Sequence, residues 1–300
     1  MKRRSALSIF CMVIALSLVS AQLSVAAQIS IEEGKDSPQL LTFSVPVMKA
    51  NYPLYQSFLA EKGANPLGIT NFSSLYSNRI VVDMVLLQQA LALGGLDVKL
   101  QYYAVPNPAR AIEDVKMGLS PVLGFETWKS DFDDRVFQSD EIIGDGEFLK
   151  VVVGRLNNSK YLMQAKSKTD LQKLSAVTGH RWRIDQKTLH EMGIVEIFSV
   201  SQYSLQLKML QEGRVDFGMY EYTNIRKSMP EGLGIVPGIT VGLRGTRHFM
   251  VSRLHPRGKD IFEALQRGIA ILKSRGAFRS AYRECGFISP ELDSWKRVFP

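Results

Sequence analysis

Two stretches of this chain, about 95 residues apart, share one layout, and the repetition restricts the folds open to it. "DVKMGLSPVLGFETW" (114–128) and "MLQEGRVDFGMYEY" (209–222) each read as a helix end, a glycine, a short apolar strand and an acid flanked by aromatics. Setting Gly118 on Gly213 brings Phe125 onto Tyr220 and Glu126 onto Glu221. Helix, glycine and strand recur in any α/β protein, but that unit does not require an acid and aromatics just past the strand. In open parallel sheets ligands bind beyond the carboxyl ends of the strands. Two such edges facing one another make a cleft.

The flanking segments extend the pattern. "LLTFSVPVM" (40–48) alternates as a first strand, and the aromatic, Gly/Pro-punctuated segment after it is long enough to carry local helix or function. "RIVVDMVLLQQALAL" reads as a helix stopped by Gly94 and Gly95, "DVKLQYYAV" as a strand, "PNPARAIEDVKMG" as a Pro-started helix and "PVLGFE" (121–126) as a short buried strand. "GEFLKVVVGR" (146–155) leads into a second series ending in "SQYSLQLKMLQEG" and "VDFGMYE". A Gly-rich return strand then precedes a long C-terminal helix broken at Gly276. The expectation is two α/β units joined by two extended crossings.

The first 28 residues, "MKRRSALSIFCMVIALSLVSAQLSVAAQ", carry a basic start, an apolar run from about Ala6 to Val19 and small residues at Ala21 and Ala27. That is the form of a cleaved secretory signal, with the run too short to span a bilayer. Residues 1–27 are therefore expected to be removed, after Ala21 or Ala27, and residues 28–39 to form a flexible lead-in. Cys11 lies inside the apolar run, which leaves Cys285 alone and excludes an intramolecular disulfide or a cysteine metal cluster. Of 37 Lys plus Arg against 29 Asp plus Glu, Lys2, Arg3 and Arg4 leave with the signal, and the others are spread without a cluster. They read as solvated surface, so nucleic acid is not expected as a partner.

Several of these pieces resemble one family, the periplasmic solute-binding proteins of the polar amino-acid type (family 3-like). "LQEGRVDFGMYE" is similar to its second-lobe signature, "RAIEDVKMGLSPVLGFETW" to the first-lobe counterpart, and "RHFMVSRLHPRGKDIFEALQRGIAILKSRGAFRSAYRECGF" to its usual ending; the match spans most of residues 40–290. The resemblance implies the two-lobed type II periplasmic-binding-protein fold, each lobe a mainly parallel sheet flanked by helices, on a two-strand hinge. Lobe 1 is then 40–148 with 245–300, and lobe 2 is 149–244. It implies a monomer that closes on a small polar ligand for an inner-membrane ABC permease or a membrane sensor, and no cofactor.

By the same resemblance Glu221 holds a ligand ammonium, while Thr178 and Arg181, in "VTGHRW" (177–182), hold an anionic group at a helix start. Glu126 and Trp128 are the first-lobe candidates, and Tyr220 and Tyr52 are candidate aromatic walls, although packing within the lobe explains Tyr52 equally well. The sequence departs from the family at its carboxylate-clamping Arg: the corresponding position is Phe132, with Lys129 and Arg135 near but out of register. That makes an amine-bearing or cationic ligand as plausible as an ordinary amino acid. No catalytic or metal signature stands out; "HEMGI" (190–194) has Ile194 where a zinc protease needs its second His. An exported enzyme on this scaffold, such as a dehydratase, is the alternative.

Overall fold

Strand and helix alternate through a computed structural model that describes residues 41–156 and 160–300; the expected leader and lead-in lie outside them. The first series is β1 (Leu41–Met48), α1 (Tyr52–Lys62), α2 (Arg79–Leu93), β2 (Val98–Val105) and α3 (Pro108–Lys116). β1 and β2 pair in parallel from Leu41 against Val98 to Met48 against Val105. The Asn78 side chain caps α2 by accepting from the Val81 N–H at 3.0 Å. Ten of the fifteen α2 residues are buried, so this helix is enclosed by protein rather than laid on a surface.

β3 (Thr127–Trp128), β4 (Val136–Ile143) and β10 (Arg247–Ser252) form a second, antiparallel sheet with β10 in the middle. The strand expected at 121–126 is reduced to a bridge between Val122 and Val251, with Leu123 N–H donating to Met250 at 2.9 Å. Pro121 has no N–H to give, and Gly124 bonds instead to Pro46 of β1 at 3.3 Å, so no ladder propagates.

The second series runs β5 (Leu149–Arg155), α4 (Lys160–Met163), α5 (Lys168–Leu171), β6 (Ala176–Gly179), α6 (Arg183–Met192), β7 (Ile197–Val200), α7 (Tyr203–Gln211), β8 (Phe217–Tyr220), α8 (Tyr222–Lys227) and β9 (Leu233–Gly242). Its sheet has the order β11-β9-β5-β8-β6-β7, closed at one edge by β11 (Lys296–Phe299). β6 is parallel to β7 and β8, whereas β5 is antiparallel to β8 and β9. The parallel pairing expected of the strand-helix-strand units is present, and the strands that cross between the series add the antiparallel pairs.

Those crossings, 144–148 and 243–246, run side by side. Gly146 N–H donates to Leu243 at 3.0 Å, Leu243 N–H to Phe148 at 2.9 Å, and Gly245 N–H to the Asp145 carboxylate at 2.6 Å. The architecture is the expected two-lobed α/β fold. α9 (Gly258–Ser274) packs on α2, and α10 (Ala277–Glu284) resumes after Gly276. The expected first lobe includes 245–300, whereas the last strand of that stretch, β11, pairs with β9 in the six-stranded sheet of the second series.

Candidate functional site

A cleft of about 1320 Å³ opens between the two series, lined by the ends of β8 and β10, the start of α2 and the start of α6. Its first-lobe wall is built on charge. Arg79, the first residue of α2, and Arg247, the first of β10, both line the cleft and both engage Glu126, which is fully buried beneath them. Arg247 Nε donates to the carboxylate at 2.5 Å and Nη2 to the Glu126 carbonyl at 2.9 Å, while Arg79 Nη1 holds the other carboxylate oxygen. A second buried acid, Asp83, lies 3.6 Å from Arg79 and accepts the Tyr282 hydroxyl at 2.6 Å.

Aromatic faces fix the guanidiniums in place. Arg247 sits 4.3 Å over the Trp128 ring, and Arg79 lies between Phe148 at 5.3 Å and Phe287 at 5.5 Å. Burial, followed by the charge of nearby Glu126, holds Asp83 well above the usual carboxylate range and favours its neutral form. Two guanidiniums thus meet on the one Glu126 carboxylate, and both also line the cleft. Arg79 Nε is buried with no partner.

The second-lobe wall is aromatic with one acid. Tyr220 ends β8, and its ring folds back over Gly218, where an added Cβ would lie 2.7 Å from the Tyr220 hydroxyl. Trp182 lies over Gly179 in the same way, at 2.8 Å. Only the lack of a side chain at these two strand positions lets the rings lie on the sheet. Tyr203 meets Tyr220 edge-on at 5.6 Å and completes the wall. The Tyr220 hydroxyl is buried without a partner, and burial, then the Tyr203 and Asp185 neighbours, push its pKa up, so it remains a donor.

Glu221 is the N-cap residue of α8 and half-buried; its carboxylate accepts from Asn224 Nδ2 at 3.0 Å and its carbonyl from the Ile225 N–H at 3.0 Å. Burial works against the charge on Arg79, and the carboxylates of Glu126, Glu221 and Asp83 outweigh it, which places Glu221 in electrostatic reach across the cleft. Lys150 of β5 sits 4.3 Å over Trp182 and pairs with Asp185 in the first turn of α6. That carboxylate already occupies the positive end of α6.

Of the residues singled out from sequence, Glu221, Tyr220, Trp128 and Arg181 line the cleft. Glu126 lies under it, held by the two arginines. Thr178 is buried with its hydroxyl unpartnered and does not line the cleft. Tyr52 packs on the hydrophobic core and does not line the cleft. Phe132 lines the cleft; Arg135 is committed to Asp133 at 2.8 Å and Glu113 at 3.1 Å, and neither it nor Lys129 does. Sequence reasoning passed over Arg79, Arg247, Lys150 and Trp182. The available signal was a cation at a helix N-terminus, where the dipole opposes it, and lone charges in otherwise apolar elements, which need partners.

No known protein-family model matches the chain, and no curated protein matches it. Solved structures do. An ancestral arginine-binding protein bound to arginine aligns at 17% identity over 82% of this chain and 98% of its own, with a TM-score of 0.51. The ancestral arginine-binding protein bound to glutamine aligns with the same identity and coverage and a TM-score of 0.52. An ancestral amino-acid-binding protein described as a precursor of cyclohexadienyl dehydratase aligns at 13% identity over 81% of this chain and 94% of its own, with a TM-score of 0.49. The first two establish that the fold is shared with two-lobed substrate-binding proteins.

Proposed function

We propose that the chain is an exported binding protein that closes its lobes over a small polar solute, an amino acid, amine or related molecule. The observation that carries the reading is the opposition of fixed charges across the cleft: Arg79 and Arg247 on Glu126 on one wall, Glu221 on the other. An anionic group of the ligand sits on the guanidiniums and an ammonium on Glu221, with Tyr220, Tyr203 and Trp182 covering the carbon between. Asp185 disfavours an anion at the start of α6, which shifts that role from Thr178 and Arg181 to the first-lobe wall. The guanidiniums are held before any ligand arrives, which lowers the ordering cost of binding.

The closed form is what an inner-membrane ABC permease or a membrane sensor reads, and residues 1–27 act as the leader. Intact mass of the exported product tests the leader, with an expected start at Gln22 or Gln28. A thermal-shift screen of amino acids, amines, polyamines and carboxylates tests the binding. At a hundred-fold excess over Kd a true ligand adds about 2.7 kcal/mol of stability. Mass spectrometry then recovers it unchanged; turnover of the stabilising compound refutes a purely binding role, and no stabilisation by any class refutes the solute reading.

A further inference from the structure

We infer that the protein carries a second ligand site, on the opposite face of the crossing strands, for an amphipathic anion: a negatively charged head group on an apolar chain or ring. The crossing itself divides the two sites. Phe148 lines the cleft, while its neighbours Glu147 and Leu149 line a separate concavity of about 400 Å³, and no residue lines both spaces. Glu147 and Phe148 lie in the turn that leads into β5, and the backbone there sends neighbouring side chains to different spaces. The volume falls in the range of about 300–1,000 Å³ in which small-molecule sites lie.

Six apolar side chains, Ile142, Leu149, Phe278, Ile288, Leu292 and Trp295, line this concavity. Three cations line it as well. Lys273 donates only to the Glu141 carbonyl at 3.2 Å, and among the described residues Arg279 and Arg297 make no ion pair. Of the two acids that line it, Asp293 pairs with Arg283 at 3.0 Å and Glu147 accepts the Gly144 N–H at 2.8 Å, so three cations face one carboxylate that makes no ion pair among the described residues. Scattered surface arginines are ordinary, but three cations without an ion pair beside six apolar side chains provide both halves of an amphipathic anion's contacts.

The walls come from both series, with Ile142 on β4 and Phe278 on α10, and Leu149, Thr240 and Arg297 on the six-stranded sheet. The floor also reaches the cleft. Tyr282 lines this concavity and donates to Asp83, the partner of Arg79, and Phe287 packs on Phe148 at 5.0 Å. An occupant therefore rests on the same side chains that fix the cleft arginines.

The test uses decanoate as probe, with decanol of the same chain length as the neutral control, titrated calorimetrically into the full mature chain. Decanoate is expected to bind one to one, and decanol at least tenfold more weakly. The double variant Arg279→Gln, Arg297→Gln is expected to weaken decanoate at least tenfold. Ser289→Trp, which fills the concavity, is expected to abolish binding while far-UV circular dichroism stays native. Glu221→Gln alters only the cleft and is expected to leave decanoate binding as in the parent. The inference is overturned by no decanoate binding at ~1 mM, by equal decanol affinity, by undiminished binding in the double variant, or by loss of binding in Glu221→Gln.

Discussion

Replacing Glu126 by Gln removes the charge that anchors the first-lobe wall while keeping its shape. The parent carboxylate is fully buried and accepts from both guanidiniums; Gln retains one acceptor oxygen, and its amide turns a donor toward the other Arg. The arginine side chains are only 12% and 9% exposed, so water compensates little. Removing one partner from a buried ion pair costs about 3–5 kcal/mol, and the residual access of these arginines to the cleft favours the lower end. A loss of about 3 kcal/mol is a large share of the roughly 5–15 kcal/mol available to a folded domain. With a urea slope of about 3 kcal/mol/M the midpoint falls by ~1 M. Urea denaturation followed by circular dichroism measures this. In an Arg247→Met background the same change costs less, because one guanidinium is no longer stranded. A midpoint shift under ~0.3 M at unchanged slope, or full additivity of the two changes, refutes the claim that Glu126 anchors the pair.

Tyr220→Phe removes a buried hydroxyl that has no partner in the protein; stability stays within about 1 kcal/mol of the parent, while ligand affinity falls about tenfold if the hydroxyl donates to ligand. Unchanged affinity by calorimetry rules that donor role out. Gly218→Ala forces the Tyr220 ring off the sheet, costing about 1–3 kcal/mol as an overpacked site does; a melting temperature within 1–2 °C of the parent counts against the ring lying there. His248 is buried, in hydrogen-bond contact through Nδ1 with the Ser139 carbonyl at 2.8 Å and through Nε2 with Thr246 Oγ1 at 2.7 Å, and burial lowers its pKa. The unfolded chain takes up that proton first on acidification, so stability present above about pH 6.5 is lost as pH falls through the lowered folded value. His248→Gln flattens the pH dependence of the urea midpoint between pH 7.5 and 5.5; parallel slopes contradict the assignment.

Much of the fold was legible because local signals and burial agree. The stop at Gly94 and Gly95, the Pro-begun start and the break at Gly276 mark helices that the structure contains at Arg79–Leu93, Pro108–Lys116 and on either side of Gly276. Glu221 stands beyond a strand's carboxyl end at the cleft, where the sequence pattern put it. The arginine wall was not legible, since it is assembled from Arg79, Glu126 and Arg247, partners 47 and 121 residues apart whose meeting depends on tertiary packing. The two matched acids also diverge. Glu126 is followed by an extended residue of β3 and turns inward, whereas Glu221 begins a helix and stays at the surface of the cleft. β11 carries no alternation of its own and owes its place to the free edge of β9.

The most direct test of the account is calorimetric titration of the ligand found by the screen into the parent, Arg247→Met and Glu221→Gln proteins. Loss of a charge-assisted hydrogen bond, worth about 1.5–3 kcal/mol, is expected to raise Kd roughly ten- to a hundred-fold in each variant, from opposite walls of the cleft. Parent-like affinity in both variants would contradict the claim that the ligand is held between the arginine pair and Glu221.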